Sequence, residues 1–312
     1  MTLTLFTGTA NPQLGAAVAR ALDVALGACE VGRFPDGELH VEVRESVRGH
    51  DVYLVQPTAP PAEQHLFELL FLADACTRAG AARVTAVLPY FGYARQDRRA
   101  SGREAVGARL VADLIGTRQF ARVVVLDLHS AALEGFFGAP VEHLTAVPTL
   151  ADVLGGERAA NGVVVAPDGG AAKLAERYAK ALHLPLAIVQ KVRVSGTEVA
   201  VRGLTGDVRN RAPVIVDDMI STGGTVAAAA AALIAGGSEP ELTVVASHGL
   251  FAGPAVERLR ALRLRRLLVT DSVALPAVEP LPVGVVSVAP LLAEAVSRLH
   301  HDRSLGDLLV HE

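Results

Sequence analysis

Apolar, β-branched runs alternate with stretches of helical periodicity from one end of the chain to the other. Runs such as LTLFT, VVVL and VVVA are short and almost wholly apolar, which predicts strands buried on both faces of parallel sheets. The pattern predicts strands near residues 3–7, 52–56, 83–88, 122–127, 162–166, 185–190, 213–217, 242–246, 266–270 and 284–287. Helices are predicted near 12–26, 62–79, 104–116, 148–155, 170–182, 224–236, 254–262 and 289–300. This alternation implies an α/β fold with doubly wound, mainly parallel sheets flanked by helices. VVVLDLHS (123–130) and VVVAPDGG (163–170) resemble each other, and each sets an Asp at a strand's carboxyl end, where open α/β sheets bind ligands. Together with a length of 312 residues, this internal likeness predicts two related domains. The expected division is 1–146, completed by a returning tail at 298–312, and 147–297, with the Asp-bearing strand ends lining a shared cleft.

Composition narrows the class. Hydrophobic residues make up 51% of the chain and charged ones 20%, so a packed globular protein is expected. Arg, Asp, Glu or Gly interrupts every apolar run well short of the roughly 20 residues of a membrane helix, and the N-terminus lacks the basic opening of a signal peptide. Cys29 and Cys76 form no framework or metal spacing and read as inert packing residues in a reducing cytoplasm. A net charge of −4 argues against a general nucleic-acid binder, so a polyanionic ligand has to be met by local cations. Of 29 cationic residues only Lys173, Lys180 and Lys191 are lysines. The first two fall in a helical pattern and are expected in solvent, whereas Lys191 falls outside one.

VIVDDMISTGGT (214–225) carries the sharpest chemistry. A buried strand ends in Asp217 and Asp218, suited to vicinal sugar hydroxyls. Ser221, Thr222, Gly223, Gly224 and Thr225 then open an alanine-rich helix whose first N–H groups can grip a phosphate. The plainer alternative is a βα turn in which Ser221 or Thr222 caps the helix. In LPYFGYARQDRR (88–99), aromatics precede a basic run that could meet a base and phosphates, or could be a solvated loop beside core aromatics. FPDGELHVEV (34–43) reads as a hairpin corner. His129 and Asp168 are candidate ligands for a divalent cation that also takes phosphate oxygens, though a strand-end His is more often structural. Lys191 and Arg193 lie two apart, on one side of an extended chain, in what is either a solvated hairpin or an arm over a transferring phosphoryl group.

Taken in order, FPDGE, PYFGYARQDR, DLHS, EGFF (134–137), the Lys191 arm and VDDMISTGGT resemble the ribose-phosphate pyrophosphokinase (PRPP synthetase) family over nearly the whole chain. The resemblance implies two type I phosphoribosyltransferase-like domains and transfer of the pyrophosphoryl group of ATP to the 1-hydroxyl of D-ribose 5-phosphate, giving PRPP and AMP. It implies Phe34, Asp36 and Glu38 as an adenine-binding loop and Arg95, Gln96 and Asp97 as an ATP loop. His129 and Asp168 become Mg2+ positions, Lys191 and Arg193 the catalytic arm, and Asp217, Asp218 and Ser221 to Thr225 the ribose 5-phosphate site. A cytoplasmic homo-oligomer is implied, a hexamer first, with dimer and tetramer as alternatives. Two other readings compete. A purine or pyrimidine phosphoribosyltransferase shares the DD…TGGT loop but would lack FPDGE and YARQDR. A non-catalytic regulatory relative would have lost arm or metal residues that are present here.

Overall fold

The computed structural model describes residues 1–99, 101–155, 161–193 and 199–310. The chain divides into two units, the first comprising Met1–Thr145, Ser272–Ala274 and Ser287–Glu312, the second Ala146–Asp271 and Leu275–Val286.

In the first unit, five strands form a parallel sheet in the order β1 (Leu3–Thr7), β4 (Asp51–Val55), β5 (Arg83–Leu88), β6 (Arg122–Leu126) and β7 (Val141–Leu144). β4 is buried at every position, as its uninterrupted apolar run requires of a central parallel strand. A separate antiparallel hairpin, β2 (Cys29–Arg33) with β3 (Leu39–Val43), departs from the sheet after β1. Helices α1 (Pro12–Ala21), α2 (Ala62–Arg78) and α3 (Gly107–Gly116) cover the sheet. α1 begins at a Pro in its first turn, and the Asn11 side chain accepts the Leu14 N–H at 3.1 Å. Asp51 is wholly buried at the amino end of β4. It accepts hydrogen bonds from Arg83 Nη2 at 2.5 Å and Tyr53 Oη at 3.1 Å, and its Oδ2 lies 2.8 Å from His300 Nδ1. That network holds the last turn of α8 (Ala289–His300) to the sheet. Beyond it, the Val310 N–H reaches the His143 carbonyl at 2.8 Å and Leu309 bridges to Leu144, so the terminal segment returns to the first unit.

The second unit carries a seven-stranded sheet. Its order is β10 (Val199–Thr205), β9 (Leu186–Arg193), β8 (Gly162–Ala166), β11 (Ala212–Ile220), β12 (Leu242–Gly249), β13 (Leu264–Thr270) and β14 (Val283–Val286). All neighbours are parallel except β10 with β9. Helices α4 (Val147–Gly155), α5 (Ala172–Leu182), α6 (Gly224–Ala235) and α7 (Ala255–Arg260) accompany it. The chain lays β9 on one side of β8 and β11 on the other, so the direction of winding reverses between β8 and β11. Such a reversal parts the loops leaving two adjacent strands and opens a crevice at their carboxyl ends.

Candidate active site

At the reversal, Ile215 pairs with Val165, so the turn leaving β8 lies beside the Asp217–Asp218 part of β11, which runs on to Ile220. Asp168 follows β8 with φ −161°, an extended conformation from which its Oδ1 accepts the Gly170 and Ala171 N–H groups at 3.0 and 3.3 Å. Asp217 and Asp218 stand half-buried within β11, which runs on past the expected end at 217 to Ile220 because Met219 and Ile220 still pair with β12. Asp217 Oδ1 accepts the Asp218 N–H at 3.0 Å. Burial first, then the charges of Asp218 and Asp168, push the Asp217 carboxyl well above the usual carboxylate range. Three carboxyl groups are crowded together here, so that Asp217 resists ionising unless a hydrogen-bond donor or a cation stabilises its anion.

Six residues beyond Asp217, Gly223 takes φ +72°, the left-handed conformation that favours glycine. A Cβ there would lie 3.4 Å from the Ala255 carbonyl and the Leu259 side chain. This residue turns the chain into α6, whose amino end no side chain caps. Gly223, not Ser221 or Thr222, takes the N-cap position, and no side-chain cap hydrogen bond is made there. The amino end of this 12-residue helix is left without a side-chain cap hydrogen bond, with backbone N–H groups of the kind that anions can meet. Arg258 on α7, a residue that sequence reasoning passed over, donates from Nη1 to the Thr222 carbonyl at 3.1 Å, and Ser221 O accepts the Ala252 N–H at 2.9 Å. The loop is thus fixed by its carbonyls, leaving its amide edge for a ligand.

Lys191 and Arg193 belong to β9, with backbones paired to Val201 and Val199. Their side chains, and residues 194–198 of the arm, lie outside the described residues.

In the first unit, the exposed Phe34–Glu38 loop joins β2 to β3. Phe34 N–H and Glu38 O close it at 2.9 Å, the Glu38 N–H bonds Asp36 Oδ1 at 3.1 Å, and Gly37 sits at φ +93°. Phe34 stays half exposed, its ring 4.9 Å from the His40 ring. Arg95 and Gln96 are exposed beyond β5, while Asp97 is partly buried and pairs with Arg98 at 3.1 Å. Gly107 has no Cβ because the Gln96 amide occupies the place one would take, 2.5 Å from Oε1. Two of the three aromatics of this segment face inward, and the third is half-buried. Tyr90 and Phe91 are buried, Phe91 against Phe137 at 5.1 Å, and Tyr93 Oη donates to Glu63 at 2.5 Å.

His129 is exposed after β6. Its loop is braced by His143, which the sequence did not single out. The Leu128 N–H donates to His143 Nε2 at 2.9 Å, so Nδ1 carries the proton and donates to Glu134 at 2.7 Å. Glu134 and Phe137 thereby account for EGFF as structure. Burial pushes the Cys76 thiol up to about 12 and raises that of Cys29, which suits both to packing and not to nucleophilic attack.

Among the described residues no cluster of three or more His, Cys, Asp or Glu makes a protein-only metal cage. His129 stands exposed in the first unit, and in the second Asp168 lies near Asp217 and Asp218, a carboxylate chemistry of the kind that hard cations accept. No helix is long and apolar enough to cross a membrane, among the residues described.

A parallel sheet whose winding reverses at paired aspartates, followed by a glycine turn into an uncapped helix, defines a phosphoribosyl-handling α/β protein. Residues 149–261 match the family model described as a phosphoribosyl transferase domain, and residues 3–118 match the N-terminal domain of ribose phosphate pyrophosphokinase. A ribose-phosphate pyrophosphokinase of Nostoc sp. is 44% identical over 308 residues, covering 98% of this chain and 93% of the relative. The chloroplastic ribose-phosphate pyrophosphokinase 1 of Oryza sativa is 44% identical, covering 97% and 78% respectively. The crystal structure of phosphoribosylpyrophosphate synthetase from Mycobacterium smegmatis superposes with a TM-score of 0.90 at 38% identity, covering 97% of this chain and all of that one. The chain belongs to the ribose-phosphate pyrophosphokinase family. It is a transferase that moves the pyrophosphoryl group of ATP to the 1-hydroxyl of D-ribose 5-phosphate, and enzymes of this family generally need a metal ion.

Proposed function

We propose that the reaction is divided between the two units, the first presenting ATP and the second D-ribose 5-phosphate. The observation that carries this reading is the pair Asp217 and Asp218 at the reversal of the second sheet, directly before the uncapped start of α6. The Ser221–Thr225 loop takes the 5-phosphate on its amide edge, and the two aspartates accept hydrogen bonds from the ribose hydroxyls. In the first unit Phe34, Asp36 and Glu38 meet the adenine, and Arg95, Gln96 and Asp97 meet the ribose and phosphates of ATP. The acceptor hydroxyl is itself the nucleophile and AMP the leaving group, so no covalent enzyme intermediate is needed. Catalysis is alignment plus neutralisation of charge on the group in flight. Lys191 and Arg193 supply that neutralisation from β9. His129 in the first unit and Asp168 in the second are each candidate positions for Mg2+, which would supply a Lewis acid that orients phosphate oxygens. The working form is a cytoplasmic homo-oligomer, a hexamer by the family resemblance.

An AMP-release assay with ATP, Mg2+ and ribose 5-phosphate tests the reading. AMP should appear only with both substrates present, and should fall at least about 10-fold when Asp217 and Asp218 are both replaced by Asn. AMP release that ignores ribose 5-phosphate, or survives that double replacement, would refute it.

A further inference from the structure

One carboxylate in the first unit is buried without any catalytic assignment. Glu68, on α2, has no exposed surface, yet all of its bonded partners described here are neutral. Its Oε2 accepts the Thr9 N–H at 2.9 Å and Gln56 Nε2 at 2.8 Å, and its Oε1 accepts Thr9 Oγ1 at 2.7 Å and Gln64 Nε2 at 3.0 Å. Burial pushes this carboxyl up, but the hydrogen bonds from Thr9, Gln64 and Gln56 outweigh it and hold the group below its ordinary value, so it stays an anion. It is anchored on one side to the turn after β1 and on another to α2.

Gln64 continues the chain of contacts outward. Its amide N–H faces the Glu68 carboxylate, while its Oε1 accepts Arg33 Nη2 at 3.1 Å. That orientation is dictated, because the flipped amide would set oxygen against a carboxylate and N–H against a guanidinium. Arg33 in turn donates from Nη1 to the Gly37 carbonyl at 2.7 Å, inside the exposed Phe34–Glu38 loop. A two-stranded hairpin is marginal by itself, so the position of its tip depends on ties of this kind to the body.

We propose that Gln64 is a positioning residue for the nucleotide, coupling the immobile Glu68 to Arg33 and so holding the Phe34–Glu38 loop in the orientation that receives ATP. The functional half of this inference rests on the adenine-loop reading above. Gln64 touches no substrate and acts through Arg33.

Replacing Gln64 with Met in the full-length enzyme keeps length and bulk and removes both hydrogen bonds. Amide hydrogen exchange across residues 34–38 should accelerate by about 10-fold, with the rest of α2 unaffected. KM for ATP should rise by about 5- to 10-fold while kcat and KM for ribose 5-phosphate stay within about twofold, a split that a general loss of stability would not produce. Arg33→Met should give at least the same exchange phenotype, and the double variant should be no worse than Arg33→Met alone, as expected of one linked path. Unchanged exchange in Gln64→Met would overturn the coupling. Faster exchange with an unaltered KM for ATP would overturn its functional meaning, provided Phe34→Ala raises that KM. If Phe34→Ala also leaves KM for ATP unaltered, the adenine-loop reading fails and the nucleotide role of Gln64 falls with it.

Discussion

In the second unit the winding of the sheet reverses between β8 and β11, whereas in the first unit β4, β5, β6 and β7 are each added on the same side of the strand before. Beside the reversal the chain sets a left-handed glycine, an uncapped helix end, Asp168 after β8 and two aspartates within β11. Without a reversal, the first unit has to hold its candidate residues on exposed loops, and it braces those loops with side chains. His143 holds the loop of His129, and Glu68 with Gln64 and Arg33 holds the Phe34–Glu38 loop. The difference suits the ligands. A phosphate dianion is recognised alike by any ring of N–H donors, whereas a base needs particular side chains at particular positions.

The contrast can be broken most sharply in the second unit. Lys191→Ala should lower kcat by at least about 100-fold with ribose 5-phosphate binding little changed, because its charge is needed only as the pyrophosphoryl group leaves AMP. Steady-state turnover within a few-fold of the parent would remove Lys191 from the chemistry. Gly223→Ala should raise KM for ribose 5-phosphate by about 10-fold and cost about 1–2 kcal/mol of stability, since a side chain disfavours φ +72°. If the backbone loop did not bind phosphate, stability would fall and that KM would not move. A milder effect is expected from the side-chain brace of the first unit. His143→Ala leaves the Leu128 N–H without its acceptor and should cost about 1–3 kcal/mol in urea unfolding, with kcat reduced about threefold.

The smallest effect on turnover, essentially none, is expected at Asp51, which lies at the opposite strand ends from the candidate site of its unit. Burial raises the Asp51 carboxyl, but hydrogen bonds from Arg83 and His300 lower it further, so its folded value lies below its unfolded one. The stabilisation is therefore present above the unfolded value, near pH 4, and is lost as pH falls through the folded one. Asp51→Asn should be about 2 kcal/mol less stable at pH 7, with the gap to the parent closing below about pH 4 in denaturant titrations. A gap independent of pH would remove the carboxylate's charge from the explanation.

Much of the fold was legible because buried parallel strands announce themselves as apolar runs. The expected strands at 3–7, 83–88 and 162–166 coincide with Leu3–Thr7, Arg83–Leu88 and Gly162–Ala166. Val141–Leu144 and Cys29–Arg33 escaped notice, since VEHL and CEVGR are short, half-exposed and carry charged residues. The helix expected at 12–26 stops at Ala21, because the chain must turn and pass beside β1, where Leu26 bridges Leu5. The turn from β11 into α6, the candidate phosphate loop, was legible for a local reason: strand, acids, glycines and helix follow one another within a dozen residues. Gln64, Glu68, His143 and Arg258 were not, since each acts through a partner distant in sequence and looks like an ordinary residue of an amphipathic or polar stretch.

By itself, then, the order of residues determined most of the elements, their mainly parallel arrangement and a candidate motif for a phosphorylated sugar, all of which depend on periodicity and short-range spacing. Tertiary structure decided what spacing cannot encode: that β8 and β11 become neighbours and crowd three aspartates, that two of the aromatics before the basic run turn into the core, and that a buried glutamate is linked through Gln64 and Arg33 to an exposed loop. Those outcomes follow from which surfaces pack together, because burial and proximity set the charge, orientation and freedom of a side chain far more than its neighbours in sequence do.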